Sequence, residues 1–187
     1  MQKKLLIYAA VSTLAIFTSC KKSAAPAAPK LGLEYTGTMA LSEARSNLAA
    51  AGTSNKILFA GGELDSSISA TVDIYDVKSN TFTTSQLSEA RTGIAAAAAG
   101  NKILFAGGLG YGYSTTVDIY DVSSNTFTTA QLSEGRAFLA AAASGSKIVF
   151  AGGYNYNGVS KTVDIYDVSS NTFTTAQLSE ARADIVA

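Results

Sequence analysis

The sequence predicts an all-β protein assembled from small, repeated sheets. Three observations predict it. A block of about 46 residues recurs along the chain. Each block carries three short segments rich in strand formers. Each segment is closed by turn residues. "LSEAR" begins at Leu41 and Leu87, "LSEGR" at Leu132, and "LSEAR" again at Leu178. The repeats therefore span 41–86, 87–131 and 132–177, with the start of another at 178–187.

Within each repeat the order is constant. An alanine-rich segment comes first, as "IAAAAAG" in the second repeat. Alanine, leucine, glutamate and arginine all favour helix, so "LSEARTGIAAAAAG" alone suggests one. Two features oppose that reading. Gly93 and Gly135 fall inside the candidate helices, and no polar stripe follows Arg91. A strand in a crowded centre, where only small side chains fit, accounts for the alanines, and strand is the expectation.

"KILFAGG", "KILFAGG" and "KIVFAGG" follow. Each is a short apolar run stopped by a glycine pair, as expected of a strand buried on both faces. "TVDIYDV" then occurs three times and alternates, with Val72 and Ile74 on one face and Asp73 and Tyr75 on the other. "SNTFTT" also occurs three times, giving turn residues and then β formers. Each repeat thus reads as four strands.

The repeat resembles the kelch motif, one four-stranded blade of a β-propeller. The matching residues are a glycine pair, a tyrosine, and an aromatic seven positions later. These are Gly61-Gly62, Tyr75 and Phe82; Gly107-Gly108, Tyr120 and Phe127; and Gly152-Gly153, Tyr166 and Phe173. An arginine opens each innermost strand, at Arg45, Arg91, Arg136 and Arg182. Phenylalanine stands where the family usually has tryptophan; both are large apolar wedges. The resemblance covers residues ~41 to 187 and implies a partial kelch-type propeller, about three blades plus flanking strands. "LGLEYTGTMAL", residues 31–41, reads as an outer strand, and "LSEARADIVA" as the start of a fourth innermost strand. Three blades do not close a ring. Truncation of a longer chain is the preferred reading, and self-association through open propeller edges the alternative.

The amino terminus reads as an address. Lys3 and Lys4 precede an apolar run from Leu5 to Phe17, and small residues follow. That is the pattern of a signal peptide, residues 1–19, and the run is shorter than the ~20 residues of a membrane span. Phe17-Thr18-Ser19-Cys20 resembles a bacterial lipobox, with Phe17 where leucine is usual. The resemblance implies lipidation of Cys20, the chain's one cysteine, and a lipid anchor at the bacterial cell envelope; simple secretion is the alternative. Residues 20–30, with Pro26 and Pro29 among alanines, suit an extended tether.

Composition narrows the chemistry. The chain's 187 residues carry 14 basic and 14 acidic side chains and no histidine. There is no basic surplus for nucleic acid and no imidazole base or ligand. A lone cysteine makes no intramolecular disulfide. "DVSSNT" lacks the glycine and glutamate of a calcium loop, and "AGGLGYG" lacks the lysine of a phosphate loop. No catalytic group, metal or cofactor is predicted. The Glu43/Arg45, Glu89/Arg91 and Glu134/Arg136 pairs, and Asp73 with Asp76, recur in every unit and read as structural.

Variation concentrates in "ELDSSISA", "LGYGYST" and "YNYNGVSK", after the glycine pairs, and in the loops entering the innermost strands. The resemblance places both sets on one rim. Tyr111, Tyr113, Tyr154, Asn155, Tyr156 and Asn157 are the candidate binding residues there, for a protein or a glycan. Taken singly, each tyrosine also suits an ordinary loop packed on its own sheet. The functional expectation is a non-enzymatic binding or scaffold protein. The alternatives are a fragment of a kelch-superfamily sugar-active enzyme whose catalytic residues lie elsewhere, and a repeat with no specific ligand.

Overall fold

A computed structural model describes residues 37–185. Three four-stranded antiparallel sheets make up the fold. The first comprises β1 (Ala49–Gly52), β2 (Lys56–Ala60), β3 (Thr71–Asp76) and β4 (Thr81–Gln86). The second comprises β5 (Ala95–Ala99), β6 (Lys102–Ala106), β7 (Thr116–Asp121) and β8 (Thr126–Gln131). The third comprises β9 (Ala140–Ser144), β10 (Lys147–Ala151), β13 (Thr162–Asp167) and β14 (Thr172–Gln177). Its loop carries a small ribbon, β11 (Tyr154–Asn155) paired with β12 (Gly158–Val159). The first two sheets follow chain order, as simple meanders. Cys20, the signal segment and the tether lie outside the described residues.

The alanine segments are strands. In β5, Ala95, Ala97 and Ala99 are buried, and β5 packs between β1 and β9. The innermost strands of successive sheets therefore face one another across a space only methyl groups fit. Helix propensity yields here to tertiary packing.

The sheets pack face to face. Leu58, Val72 and Ile74 of the first meet Ile103, Phe105 and Tyr120 of the second in one apolar cluster. Leu104, Val117 and Ile119 of the second meet Ile148, Phe150 and Tyr166 of the third in another. Each buried side chain of this size contributes about 1.5–3 kcal/mol. The tyrosine and aromatic seven residues apart lie opposite on β3 and β4, with Tyr75 and Phe82 rings 5.1 Å apart. The equivalent pairs in the other sheets are 4.9 Å apart. The turn between them uses Asn80, Asn125 and Asn171 with φ of 57–58°, and each side chain accepts from its sheet's tyrosine hydroxyl.

"TVDIYD" does not alternate between core and solvent, because Asp73, Asp118 and Asp164 are all 1% exposed. Arginine accounts for this. Arg91 donates to the carbonyl of Thr116 at 2.9 Å, to that of Gly107, and to the Asp118 carboxylate. The second oxygen of Asp118 accepts from the Ser88 backbone N–H at 2.9 Å. Arg45 with Asp73 and Arg136 with Asp164 repeat the arrangement. A buried charge persists only when paired and hydrogen-bonded, and this network pins each "LSEAR" segment onto the following sheet.

Candidate functional site at the loop rim

The loops after the glycine pairs and the loops entering the innermost strands share one rim. Ser46 and Glu63 exchange backbone hydrogen bonds of 2.9 and 2.8 Å, as do Thr92 with Leu109 (3.0 and 2.8 Å) and Ala137 with Tyr154 (3.0 and 2.8 Å). The second residue after each arginine adopts a left-handed backbone: Asn47 (φ 51°), Gly93 (60°), Phe138 (55°) and Asp184 (52°). The Phe138 N–H donates to the Gly93 carbonyl at 2.9 Å, and the Asp184 N–H to the Phe138 carbonyl at 3.2 Å. Gly93, Phe138 and Asp184 thus link successive segments along the rim.

The rim brings most of the candidate residues together. Tyr113 and Tyr156 meet edge to face with centroids 5.0 Å apart, joining the second and third sheets. The Tyr156 hydroxyl lies over Gly112, where a β-carbon would have to displace it. Tyr156 is still 78% exposed, and Tyr111 is fully exposed. Tyr154 instead turns toward Phe138, ring centroids 6.4 Å apart. A hydrogen bond from its hydroxyl to Asp184 raises the Tyr154 pKa.

The Asn155 side chain holds the loop. Asn155 Nδ2 donates to Glu134 at 3.1 Å, and its Oδ1 accepts from the Asn157 N–H at 2.8 Å. That is an Asx turn closing the β11–β12 ribbon. Glu134 also accepts from the Ser160 hydroxyl. Burial raises the pKa of Glu134, but Ser160, Thr162 and Arg136 outweigh it and hold the carboxyl below its ordinary value.

Beside Tyr111 lies an open recess of about 300 Å³, lined by Glu89, Arg91, Gly110, Gly112, Tyr113 and Ser114 among others. Glu89 accepts from the Ser114 hydroxyl and sits 3.6 Å from Arg91 Nε. Burial raises its pKa, while Ser114, Thr116 and Arg91 lower it further, so the carboxylate is favoured. The recess thus offers an aromatic wall and a negative charge. Phe138 and Asp184 are additions that the loop composition alone did not single out. Their signal was alignment, because both fall at the position occupied by Asn47 and Gly93.

Asp76 serves its turn rather than acid–base chemistry, since its carboxylate accepts from the Lys78 and Ser79 N–H groups and pairs with Lys56 at 3.0 Å. Among the described residues no group of His, Cys, Asp and Glu is placed to hold a metal ion.

Residues 135–177 match the family model described as the Kelch motif. No curated protein matches the chain. Among solved structures the chain is similar to the one described as "Structure of YjhT", with a TM-score of 0.63 and 18% identity. The match covers 75% of this chain and 48% of that one, so the chain spans about half that structure's length. At this identity the likeness is one of fold. Taken with the repeated glycine, tyrosine and phenylalanine frame, it makes the three sheets blades of a partial β-propeller, the third of which carries the matched Kelch motif.

Proposed function

We propose that this chain is a binding protein of the bacterial cell envelope, holding a partner protein or glycan on its loop rim without catalysing a reaction. The observation that carries the reading is the aromatic group formed by exposed Tyr111 and the edge-to-face pair Tyr113 and Tyr156. Tyrosines offer flat apolar area and a hydroxyl at small entropic cost, which suits both classes of partner. The scaffold residues recur in every blade, whereas these do not. The envelope address rests on Cys20 and the apolar run before it.

Glycan and protein arrays probed with the chain test the binding reading. Tyr111→Ala and Tyr156→Ala should each weaken a hit about tenfold or more, as truncated aromatic anchors do. A hit indifferent to both places the site elsewhere. Mass spectrometry of the mature amino terminus tests the address; an unmodified Cys20 removes the anchor.

A further inference from the structure

The loop rim carries a surplus of negative charge that the opposite rim lacks. Arg45, Arg91 and Arg136 are spent on buried Asp73, Asp118 and Asp164. Beyond those pairs, Glu43, Glu63, Asp65, Glu89 and Glu134 stand on the loop rim. Among the described residues of the three blades, Lys161 is their single basic counterpart there. At the opposite rim Lys56, Lys102 and Lys147 pair with Asp76, Asp121 and Asp167. The segregation follows from the repeat. Each buried arginine faces an aspartate and a glutamate, so every blade leaves one negative charge over.

Neutral groups hold the rim carboxylates. Ser69 donates to Glu43 at 2.9 Å, Thr92 to Glu63 at 3.0 Å, and Ser114 to Glu89. Hydroxyl donors keep a carboxylate ionised without cancelling its charge. Arg91 does not cancel that of Glu89 either, because Asp118 takes its own charge. Arg91 Nε lies 3.6 Å from Glu89, buried and without a hydrogen-bond partner among the described residues. The Glu89 side chain is 47% exposed and lines the recess beside Tyr111.

An aromatic wall beside an uncancelled carboxylate suits a cation, because ring faces attract positive charge. A neighbouring recess of about 280 Å³ shares Ala90, Gly110 and Tyr111 and adds Ser67 and Ile68 of the first blade. Ile68 and Ala90 offer apolar cover to the aliphatic stem of a long cationic side chain. We propose that the recess beside Tyr111 seats a lysine or arginine side chain of a basic protein segment, with Tyr111 and Tyr113 against the cation and Glu89 as its counter-ion. The inference rests on the rim-binding reading and narrows the partner to protein. A neutral glycan would cover the Glu89 charge and supply none to match it, at a cost in desolvation.

Fluorescence anisotropy on the full chain tests this with three labelled probes: hexa-lysine, hexa-glutamate and cellohexaose. Hexa-lysine should bind, and more weakly as salt is raised. Glu89→Gln keeps an acceptor for Ser114 and removes the charge; it should weaken binding ~5-fold. Tyr111→Ala should weaken it about tenfold. Asp121→Asn, on the opposite rim, should leave it unchanged. Circular dichroism of each variant separates lost binding from lost folding. Absent hexa-lysine binding, indifference to Glu89→Gln, or an equal loss in Asp121→Asn overturns the proposal. Hexa-glutamate or cellohexaose bound instead, and lost in Tyr111→Ala, overturns it while keeping the rim reading. Hexa-lysine binding indifferent to both Tyr111→Ala and Glu89→Gln overturns both.

Discussion

Arg91 and Asp118 form an ion pair inside the second blade, with the arginine side chain 0% and the aspartate 1% exposed. The arginine enters from the connecting segment, and the aspartate stands on β7. The pair therefore fastens the link between two blades to the middle of the second. The same contact joins Arg45 to Asp73 and Arg136 to Asp164. Removing one partner of a buried pair strands the other charge. Arg91→Leu should cost about 3–5 kcal/mol. Arg182→Ala, at an exposed pair, should change stability by no more than ~1 kcal/mol. Urea unfolding of both variants checks this; equal losses would mean that the buried network is not what holds the blades.

Gly107 and Gly145 separate two reasons for glycine. Both have positive φ, 66° and 58°. A β-carbon at Gly145 meets nothing within 4 Å, while one at Gly107 collides with the Arg136 carbonyl oxygen. Gly145→Ala should cost only the left-handed backbone penalty, about 1–2 kcal/mol. Gly107→Ala adds a clash at the blade junction and should cost clearly more. The comparison is again of urea midpoints.

The fold was legible because its constraints repeat. A glycine pair followed by a tyrosine and, always seven residues on, a phenylalanine leaves few arrangements, and three copies remove chance. The alanine strand was legible only through the array, since its composition alone favours helix. The buried Asp73 was not legible, because alternation puts it opposite Val72 and Ile74, and its partner Arg45 lies 28 residues away. At the rim, composition identified the tyrosines but not their pairing. Tyr113 meets Tyr156 across two blades, a contact set by blade packing. Composition also gave no sign that the Asn155 side chain bonds Glu134 and the Asn157 backbone N–H, which couples the loop to the segment before it.

Acid should weaken the turns on the opposite rim. Backbone Ser79 and then Lys56 hold Asp76 well below the ordinary carboxylate range. Lys102 and then Ser123 lower Asp121, and Lys147 and then Ser169 hold Asp167 at about 2. A folded-state pKa below the unfolded value means that the unfolded chain binds protons first as pH falls. The stabilisation is then present above the unfolded pKa, about 3.9, and lost as pH drops through the folded values. Urea midpoints should fall between pH ~4 and ~2. Asp121→Asn should flatten part of that slope, and salt should weaken the lysine share. A midpoint independent of pH across this window would remove the three carboxylates from the stability of the turns.

Phe138 is the residue whose conformation and identity disagree. Asparagine, glycine and aspartate occupy the equivalent left-handed positions at 47, 93 and 184, and all tolerate positive φ. A bulky aromatic there carries backbone strain of about 1–3 kcal/mol, and such strain persists where something else is gained. Packing supplies part of the gain, because the ring lies over Gly93 and faces Tyr154. It is nonetheless 37% exposed, on the same rim as Tyr111 and Tyr156. Phe138→Gly relieves the strain while removing the ring, so stability should move by no more than ~1 kcal/mol. Affinity for a rim ligand should fall about tenfold, since an exposed aromatic anchor is lost. Paired unfolding and binding measurements read the two effects separately. A large loss of stability with unchanged affinity would show that the ring serves the scaffold instead.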